Sequence, residues 1–438
     1  MQTNFSLAQL ADPDTAQSEK ILRACVHCGF CTATCPTYLL TGDELDGPRG
    51  RIYLIKDMLE GGRAASATVA KHIDRCLSCL ACMTTCPSGV HYMHLVDHAR
   101  KHIARTFRRP AGDRWLRKLL SVVMPRPVLF RWALRLAGLA RPFARALPGR
   151  MGAMAKLAPA KLSEASPVDR PQVFPAEGTR RRRVALLSGC VQTVLRPGIN
   201  EATIRLLTRH GVEVVVAPGA GCCGALTHHL GEEAPALASA KANIIAWWRE
   251  IEGKGLDAIV INASGCGTMV KDYGFLFRED RLWCEKAAKI AGLTRDITEV
   301  LDEIGLKEAR PDGPRRVAYH SACSMQHGQG LDALPRRLIA GAGFELCEIP
   351  EGHLCCGSAG SYSILQPGFA GQLKTRKLAN IARARAEVMV AGNVGCLEHL
   401  AGGLELPMIH TAELLDWATG GPLPAGLRTP PSPSASAG

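Results

Sequence analysis

CVHCGFCTATCP at Cys25–Pro36 and CLSCLACMTTCP at Cys76–Pro87 are the two stretches that decide the fold of this 438-residue chain. Each has the spacing C-x2-C-x2-C-x3-C-P, which is typical of bacterial ferredoxins with [4Fe–4S] clusters. In that pattern the first three thiolates bind one cluster, and the fourth, before the proline, binds the other. The spacing therefore predicts two ligand sets: Cys25, Cys28, Cys31 and Cys86 for one cluster, and Cys76, Cys79, Cys82 and Cys35 for the other.

Zinc is the alternative cofactor, because two CxxC pairs can form a tetrahedral zinc site. A zinc ion takes four ligands, so one ion would leave half of these eight cysteines unused. Pro36 and Pro87 fix the backbone after each run and remove an N–H group, which turns the chain away from a cluster. The pattern favours two cubane clusters.

Composition narrows the class of protein further. The chain is 47% hydrophobic, which is ordinary for globular protein, and it contains 18 cysteines. The start, MQTNFSLAQLADPD, lacks the basic and apolar regions of a secretory signal, and no apolar run reaches the length of a membrane span. Clustered cysteines are then expected to bind metal or to act in catalysis rather than to form disulfides.

The segment between the two cysteine runs predicts a helix. Pro48 suits a first helical turn, Ile52, Ile55 and Leu59 recur at helical spacing, and glycines end the segment. The connection from the first run to the second is 40 residues long, which favours a helical ferredoxin-like domain over a compact β ferredoxin. We assign residues 1–105 to this two-cluster domain.

Residues 101–150 carry much of the excess positive charge. They hold thirteen Lys or Arg and a single acid, Asp113, and apolar residues are interleaved with the basic ones. Two short amphipathic helices are predicted, and helices of this kind lie at anionic membrane surfaces. The alternative is an arm that packs on this protein or on another subunit. Nucleic acid is not expected, because no recognition motif accompanies the charge.

The remaining boundaries follow from composition and from an internal repeat. Residues 106–180 comprise the basic helices and a Pro-rich linker, and residues 421–438 are predicted to be a disordered tail. VALLSGC at Val184–Cys190 matches VAYHSAC at Val317–Cys323, and in both halves a CCG motif follows that cysteine after a step of 32 residues. We therefore expect two related domains, residues 181–308 and 309–420.

Each half alternates apolar strands with helices, which predicts a parallel α/β layer. The fold class is thus a multidomain α plus α/β chain: a helical two-cluster domain followed by a duplicated cysteine-rich domain. Ligand sites in parallel sheets lie at the carboxyl ends of strands. The possible further ligands at these ends are Cys190, Cys222, Cys223 and Cys266 in the first half, and Cys323, Cys355, Cys356 and Cys396 in the second.

Several other residues near these motifs have candidate roles. His320 and His353 are the histidines most favoured as ligands or proton carriers, because they lie beside the thiols of the second half in sequence. Cys284 and Cys347 fall outside the repeated pattern and are expected to be core thiols. No nucleotide or flavin fingerprint is present, so no catalytic residue is predicted.

The sequence resembles the family of iron–sulfur subunits of glycolate oxidase, also called glycolate dehydrogenase, over about residues 15–420. The wider family includes a membrane-anchoring subunit of anaerobic glycerol-3-phosphate dehydrogenase, lactate-utilisation proteins and heterodisulfide reductase subunits. The motifs that carry the resemblance are CVHCGFCTATCPTY, GPRGRIYLIK, CLSCLACMTTCPSGV, NASGCGTMVKDYG and GNVGCLEHL.

The cysteine-rich halves depart from the wider family, whose pattern ends in CxxC. Met269 follows Cys266 at the partner position, and Asn393 precedes Cys396. Each half thus offers four cysteines rather than five, which argues against disulfide reduction and leaves open a further iron–sulfur cluster with a non-cysteine ligand.

The resemblance implies an electron-transfer subunit. It would pass electrons from a flavin (FAD) subunit that oxidises glycolate to glyoxylate towards a membrane quinone, at the inner face of the cytoplasmic membrane. The alternatives are a lactate, other 2-hydroxy acid or glycerol-3-phosphate dehydrogenase, or a heterodisulfide-reductase-like subunit. We expect no glycolate oxidation by the chain alone.

Overall fold

A computed structural model describes residues 1–141, 159, 162–307 and 313–428 of the chain. The N-terminal part is helical. Its helices are α1 (Leu7–Leu10), α2 (Pro13–Ala24), α3 (Pro36–Thr41), α4 (Pro48–Glu60), α5 (Ala67–Asp74), α6 (Ala81–Thr84) and α7 (Tyr92–Thr106). The helical form of this cluster domain is as the sequence predicted.

Helix α4 shows how the sequence builds this domain. Pro48 occupies the first turn, where its missing N–H leaves no hydrogen bond unmade. Ile52, Ile55 and Leu59 are buried against α5 and α7, and Gly61 ends the helix. The predicted helix is confirmed. It also carries Arg51, which is fully buried beneath the cysteine loops.

Two basic helices follow the cluster domain, α8 (Ala111–Val123) and α9 (Pro127–Ala140). Leu116 and Leu120 of α8 pack against Leu230 and Leu365 of the cysteine-rich domains. No side chain of helix α9 is fully buried, but its Phe130 packs partly buried against the same cluster. Within the described part of the chain, no helix combines the length and apolar character that crossing a bilayer requires.

The first cysteine-rich half contains a five-stranded sheet in the order β1-β3-β2-β4-β5. Its strands are β1 (Gln172–Phe174), β2 (Arg182–Leu186), β3 (Val212–Val216), β4 (Ala258–Ile261) and β5 (Thr294–Asp296). Strands β2 to β5 are parallel, with Val184 opposite both Val214 and Ala258. The helices of this half are α10 (Gln192–Leu195), α11 (Gly198–Arg209), α12 (Ala225–His229), α13 (Glu233–Gly253), α14 (Ser264–Lys271), α15 (Tyr273–Leu276), α16 (Cys284–Leu293) and α17 (Ile297–Ile304).

The second half repeats this plan with a four-stranded parallel sheet in the order β7-β6-β8-β9. Its strands are β6 (Arg316–Tyr319), β7 (Glu345–Cys347), β8 (Val388–Ala391) and β9 (Met408–His410). Its helices are α18 (Ala333–Gly341), α19 (Tyr362–Leu365), α20 (Pro367–Arg383), α21 (Val394–Leu400) and α22 (Thr411–Ala418). Burial on both faces explains why the central strands are continuous apolar runs.

The predicted linker and tail need correction. Residues 172–174 form β1, which pairs antiparallel with β3 and closes one edge of the first sheet. At the other end of the chain, Ala425–Leu427 form a 3-10 turn, and Leu427 packs against the core of the second half. Residues 421–428 are therefore ordered, because apolar contact with β9 holds them. The predicted disorder of residues 429–438 and much of the predicted linker lie outside the described residues.

The cluster domain contacts both cysteine-rich halves. Towards the first half, His94 donates a 2.9 Å hydrogen bond from Nε2 to the Asp272 carboxylate and stacks on Phe275. Towards the second half, Tyr362 donates a 3.0 Å hydrogen bond from its hydroxyl to the Arg75 carbonyl. The second cysteine loop lies beside the second half, where Leu77 and Cys79 pack in one cluster with Cys355 and Cys323.

Candidate iron–sulfur sites

The two cysteine loops share one backbone shape. His27 and Gly29 of the first loop have φ of 57° and 85°, and Ser78 and Leu80, at the equivalent positions of the second, have φ of 50° and 63°. Non-glycine residues seldom adopt this left-handed conformation, so its repetition marks a constrained loop of the kind found at ligand sites.

The first predicted set of cysteines surrounds one cavity. Cys25, Cys28, Cys31 and Cys86 line it, together with Cys82 of the other set, and it encloses about 440 Å³ of space free of protein atoms, its open mouth included. Cys28 is exposed, whereas Cys25 is buried. The structure thus brings Cys86 from the second run to the three leading cysteines of the first.

The second predicted set surrounds a neighbouring cavity of about 330 Å³, measured in the same way. Cys76, Cys79 and Cys82 line it with Cys35, the last cysteine of the first run. Cys82 therefore stands in the wall between the two cavities. The crossed ligand assignment remains a prediction, and the four thiols around each cavity fit it.

Arg51 provides a positive charge at the second cavity. Its guanidinium donates to the Cys35 sulfur at 3.8 Å and to the Thr37 hydroxyl at 2.9 Å, and it lies 3.7 Å from the Asp46 carboxylate. Burial opposes the charged form, but the acidic groups around it, led by Cys76, raise the pKa of Arg51. The guanidinium is therefore a permanent cation beside the sulfurs.

Other basic residues that the sequence places near the clusters differ in position. Arg49 lines the first cavity and is paired with Glu44 at 2.7 Å. Arg75 donates to Asp46 at 2.7 Å, whereas Arg23 is exposed and paired with Glu19. Arg49 and Arg51 thus line a cavity, whereas Arg23 and Arg75 line neither.

Burial of these thiols disfavours the charged thiolate form unless a cation is bound. Burial raises the pKa of Cys31 to about 11 and raises the pKa values of Cys79 and Cys82 well above the ordinary thiol value. Thiolates are the ligand form, and a bound cation supplies the stabilisation that burial removes. Hydrogen bonds to sulfur are already in place: the Ser78 amide and the Tyr92 hydroxyl donate to Cys76 at 3.5 and 3.9 Å.

The four thiols of the first cysteine-rich half lie at the carboxyl ends of β2, β3 and β4. Hydrogen bonds from Cys190 and Cys223 lower the pKa of Cys222 to about 3, and Cys266 contacts Cys223 in turn. Asn243 holds this loop by accepting from the Gly221 amide at 2.8 Å and donating to the Cys222 carbonyl at 2.9 Å.

The second half gathers its thiols more tightly. The sulfurs of Cys356 and Cys396 are 3.4 Å apart, and Cys355 is hydrogen-bonded to both Cys356 and Cys323. His320 is buried beside them. Cys323 also lies close enough to Cys79 to interact with it electrostatically, so this thiol group adjoins the second cavity of the cluster domain. A further cluster in either half remains a prediction.

The other candidates from the sequence lie in different environments. Cys347 is a buried core thiol as expected, but Cys284 is only partly buried, because it starts α16 at the surface. His353 does not join the thiols, and its carbonyl accepts a hydrogen bond from His327 at 3.2 Å.

The residues at the missing cysteine positions have structural roles. Met269 is buried in the core of the first half. Asn393 caps α21 by accepting from the Gly395 amide at 2.8 Å, and it donates to Ser264 of the first half at 3.0 Å. Met269 packs in the same core cluster as Cys223 and Cys266, whereas the Asn393 amide is used in the helix cap. Lys377, which is buried among the second-half thiols, had no signal in the sequence, because a lysine within a helix usually faces solvent.

The fold and the thiol sets define a two-cluster iron–sulfur protein with a duplicated cysteine-rich domain. A 4Fe-4S dicluster domain model matches residues 21–90, and a cysteine-rich domain model matches residues 184–271 and 317–401. The chain is 43% identical over 418 residues to the glycolate oxidase iron-sulfur subunit of Escherichia coli, covering 95% of this chain and 99% of that one.

Two further relatives extend the comparison. The probable glycolate oxidase iron-sulfur subunit of Bacillus subtilis is 32% identical over 419 residues, covering 90% of this chain and 94% of that one. Lactate utilization protein A of Bacillus velezensis is 28% identical over 242 residues, covering 53% of this chain and 99% of that protein. The chain belongs to the glycolate oxidase iron–sulfur subunit family, and it is a [4Fe–4S] protein of an oxidoreductase complex.

Proposed function

We propose that this chain carries electrons from a flavin (FAD) subunit, which oxidises glycolate to glyoxylate, towards a membrane quinone. The observation that carries the proposal is the pair of neighbouring cavities, each lined by one predicted set of four thiols, with Cys82 in the walls of both. When bound, [4Fe–4S] clusters supply one-electron transfer at potentials that the protein sets. Glycolate is the substrate named for the relatives, and we assign its binding to the partner subunit.

The chain's own residues adjust the reduction potential at the second cavity and exclude water from it. Arg51 and Tyr92 place donors at the Cys35 and Cys76 sulfurs of the second set, which favours the more negative reduced state. Leu77 packs with Tyr362 and Leu373 of the second half and excludes water from the same side. This arrangement supports the second set as the inner carrier.

The first cavity is the proposed point at which electrons enter the chain. Cys28 is exposed at its mouth, and Val26 and Phe30 beside it are 67% and 63% exposed. Tyr53, also exposed, packs edge-on against His27 of the same loop. Exposed aromatic and aliphatic side chains around a redox site are typical of a surface that a partner covers. The flavin subunit is the partner that this surface fits.

A second surface supports peripheral association with an anionic membrane, or with a membrane subunit. Helix α9 exposes Val128, Trp132, Leu136 and Leu139, and its neighbour α8 exposes Trp115. Residues 101–150, which include both helices, hold thirteen Lys or Arg and a single acid. Apolar side chains with Trp beside basic residues are suited to the bilayer interface.

Vesicle flotation tests the membrane part of the proposal. We expect the full chain to float with vesicles that contain phosphatidylserine, to stay behind with phosphatidylcholine alone, and to lose binding in the Trp132→Ala/Leu136→Ala variant. Leu282→Ala removes another exposed leucine away from this surface and is the control. Equal flotation of all variants, or binding to neither vesicle, would remove the membrane assignment.

Substrate-driven reduction tests the electron-transfer role. The chain is co-expressed with its flavin partner, glycolate is added without oxygen, and EPR of the clusters is recorded. We expect reduced-cluster signals in the complex, none in the isolated chain, and none in a complex with Cys28→Ser and Cys79→Ser. Reduction of the isolated chain by glycolate, or a complex whose flavin is reduced while the clusters stay oxidised, would contradict the proposal.

The alternative within the family is a different 2-hydroxy acid. Lactate utilization protein A covers only about half of this chain, so the likeness supports lactate less than glycolate. Addition of lactate or glycerol-3-phosphate in the same EPR experiment separates these substrates. The heterodisulfide-reductase-like alternative has less support, because Met269 and Asn393 stand at the missing cysteine positions and have structural roles.

A further inference from the structure

The second cysteine-rich half contains a compact set of three soft ligands. The ligand atoms of His320, Cys356 and Cys396 all lie within 4.8 Å of one another, and all three residues are buried. They come from three different elements of the sheet: His320 follows β6, Cys356 lies in the loop after β7, and Cys396 is in α21 after β8. Convergence of three strand ends on one point gives a preformed site.

His320 has no other role that explains its burial. It is 1% exposed, and among the described residues neither ring nitrogen is hydrogen-bonded to a nitrogen or oxygen atom, so the Cys356 thiol is its polar contact. A buried imidazole without such partners is costly, because both its donor and its acceptor lose water. Its side chain interacts with the Cys356 thiol, so the ring faces the sulfurs.

The first half provides an internal comparison. The repeat places Leu187 at the position of His320. The contact between Gly224 and Ala236 corresponds to that between Gly357 and Ala370, which aligns Asn243 with Lys377. In the region that the structure describes, the four thiols of the first half form no comparable three-donor group. Histidine and lysine therefore occur together only in the half with the compact site.

Lys377 supplies a charge that suits a bound metal. It is 1% exposed, donates to the Glu351 carbonyl at 3.0 Å, and interacts electrostatically with all four thiols of the second half. A divalent ion with three thiolates and one neutral imidazole carries one net negative charge. The lysine ammonium balances that charge in a site that excludes water.

We propose that the second half binds a single tetrahedral transition-metal ion, best fitted by Zn²⁺, through His320, Cys356 and Cys396, with a fourth thiolate from the adjacent Cys355 or Cys323. Thiolate and imidazole are the ligands that zinc prefers, in Cys₃His as in Cys₂His₂ sites. This site is separate from the two predicted cubane sites and independent of the electron acceptor.

The spacing of the sulfurs favours one ion over a cluster. Thiolates on one zinc are each about 2.3 Å from it, so their sulfurs lie within about 4.6 Å of each other. The Cys356 and Cys396 sulfurs, 3.4 Å apart, satisfy this limit. The ferredoxin sets instead surround open cavities, and among the described residues neither forms a three-donor group of this size. The same chain thus shows two different kinds of thiol site.

Metal and sulfide analysis of the full chain tests the proposal. The chain is purified anaerobically from medium that contains zinc and iron, and zinc, iron and acid-labile sulfide are measured per chain. The variants are His320→Leu, which installs the residue of the first half, His320→Cys, which keeps a ligand, and His353→Ala as the control histidine. X-ray absorption at the zinc edge reports the ligand atoms.

We expect about one zinc per chain in wild type, in His353→Ala and in His320→Cys, with the nitrogen ligand lost in the last, and at least a tenfold loss of zinc in His320→Leu. The iron and sulfide of the ferredoxin sets should not change. Zinc-free wild type, zinc retained by His320→Leu with an unchanged ligand shell, or extra iron and sulfide in its place would overturn the single-ion site. If the His320→Leu variant does not fold, the X-ray absorption spectra of wild type and His320→Cys at the zinc edge still test whether a histidine nitrogen binds the ion.

Discussion

Replacement of Arg51 by glutamine is the sharpest test of how the chain sets the potential of its inner cluster. The guanidinium lies 3.8 Å from the Cys35 sulfur, is fully buried, and also donates to the Thr37 hydroxyl and the His72 carbonyl. The Arg51→Gln variant would keep a polar side chain of smaller size and remove the charge. Because a cation favours the more negative reduced state, its loss should lower the potential of the second cluster.

The size of the shift follows from Coulomb's law. At an effective dielectric constant of about 20, a charge at 3.8 Å contributes about 4 kcal/mol, or ~170 mV for one electron. Cluster charge is spread over all its atoms, and at a mean distance of about 8 Å the same arithmetic gives roughly 90 mV. The variant should also lose about 3 kcal/mol of stability, the lower end for a broken buried pair, since Asp46 keeps Arg75 and His72 as partners.

Redox titration followed by EPR measures this shift. Arg51→Lys retains the charge and should keep the potential within about a third of the Arg51→Gln shift, although it loses the forked donor geometry. Arg49→Gln, at the first cavity, should leave the second cluster nearly unchanged. Equal potentials in wild type and Arg51→Gln, with both clusters loaded, would refute the electrostatic argument.

Two further substitutions probe the second cysteine-rich half. Gly357 has φ of 94°, and a Cβ there would meet the Ala370 carbonyl oxygen at 2.7 Å, so Gly357→Ala should lower the free energy of unfolding by at least about 1–3 kcal/mol. Gly360→Ala is the control and should cost less, because no atom lies within 4 Å of its Cβ position. Thermal melting compares the two variants, and equal losses of stability would contradict the close-contact argument. Burial lowers the pKa of His410 to about 4, and its Nδ1 accepts from the Ala412 amide. Because the folded state resists protonation of His410, the free energy of unfolding is highest above about pH 6.5 and falls by up to about 3 kcal/mol as the pH drops towards 4. The His410→Asn variant should therefore show a smaller change of melting temperature between pH 7 and pH 5 than wild type. A variant as pH-sensitive as wild type would show that another group titrates.

Strong local patterns in the sequence predicted much of the fold. The spacing of Ile52, Ile55 and Leu59 gave α4, and the matched steps around the CCG motifs gave two parallel sheets with cysteines at their strand ends. These features depend on periodicity and on repetition, which a single sequence displays directly.

Features that depend on tertiary contact escaped prediction. Strand β1 is three residues long within a Pro-rich segment, and only pairing with β3 makes it a strand. His320 is three residues from Cys323 and His353 is two from Cys355, but β6 carries His320 into the core while His353 remains partly exposed. In the sequence Lys377 is an ordinary lysine of a helix, and only the tertiary fold buries it.

The central claim is that two crossed sets of four thiols hold two [4Fe–4S] clusters, and single-cysteine variants test it most directly. Iron and sulfide are counted and EPR of the dithionite-reduced chain is recorded anaerobically. We expect about eight irons and eight sulfides in wild type, loss of one signal in both Cys28→Ser and Cys86→Ser, and loss of the other in both Cys79→Ser and Cys35→Ser. Fewer than eight irons in fully loaded wild type, or Cys86→Ser and Cys79→Ser affecting the same signal while Cys28→Ser affects the other, would contradict the account.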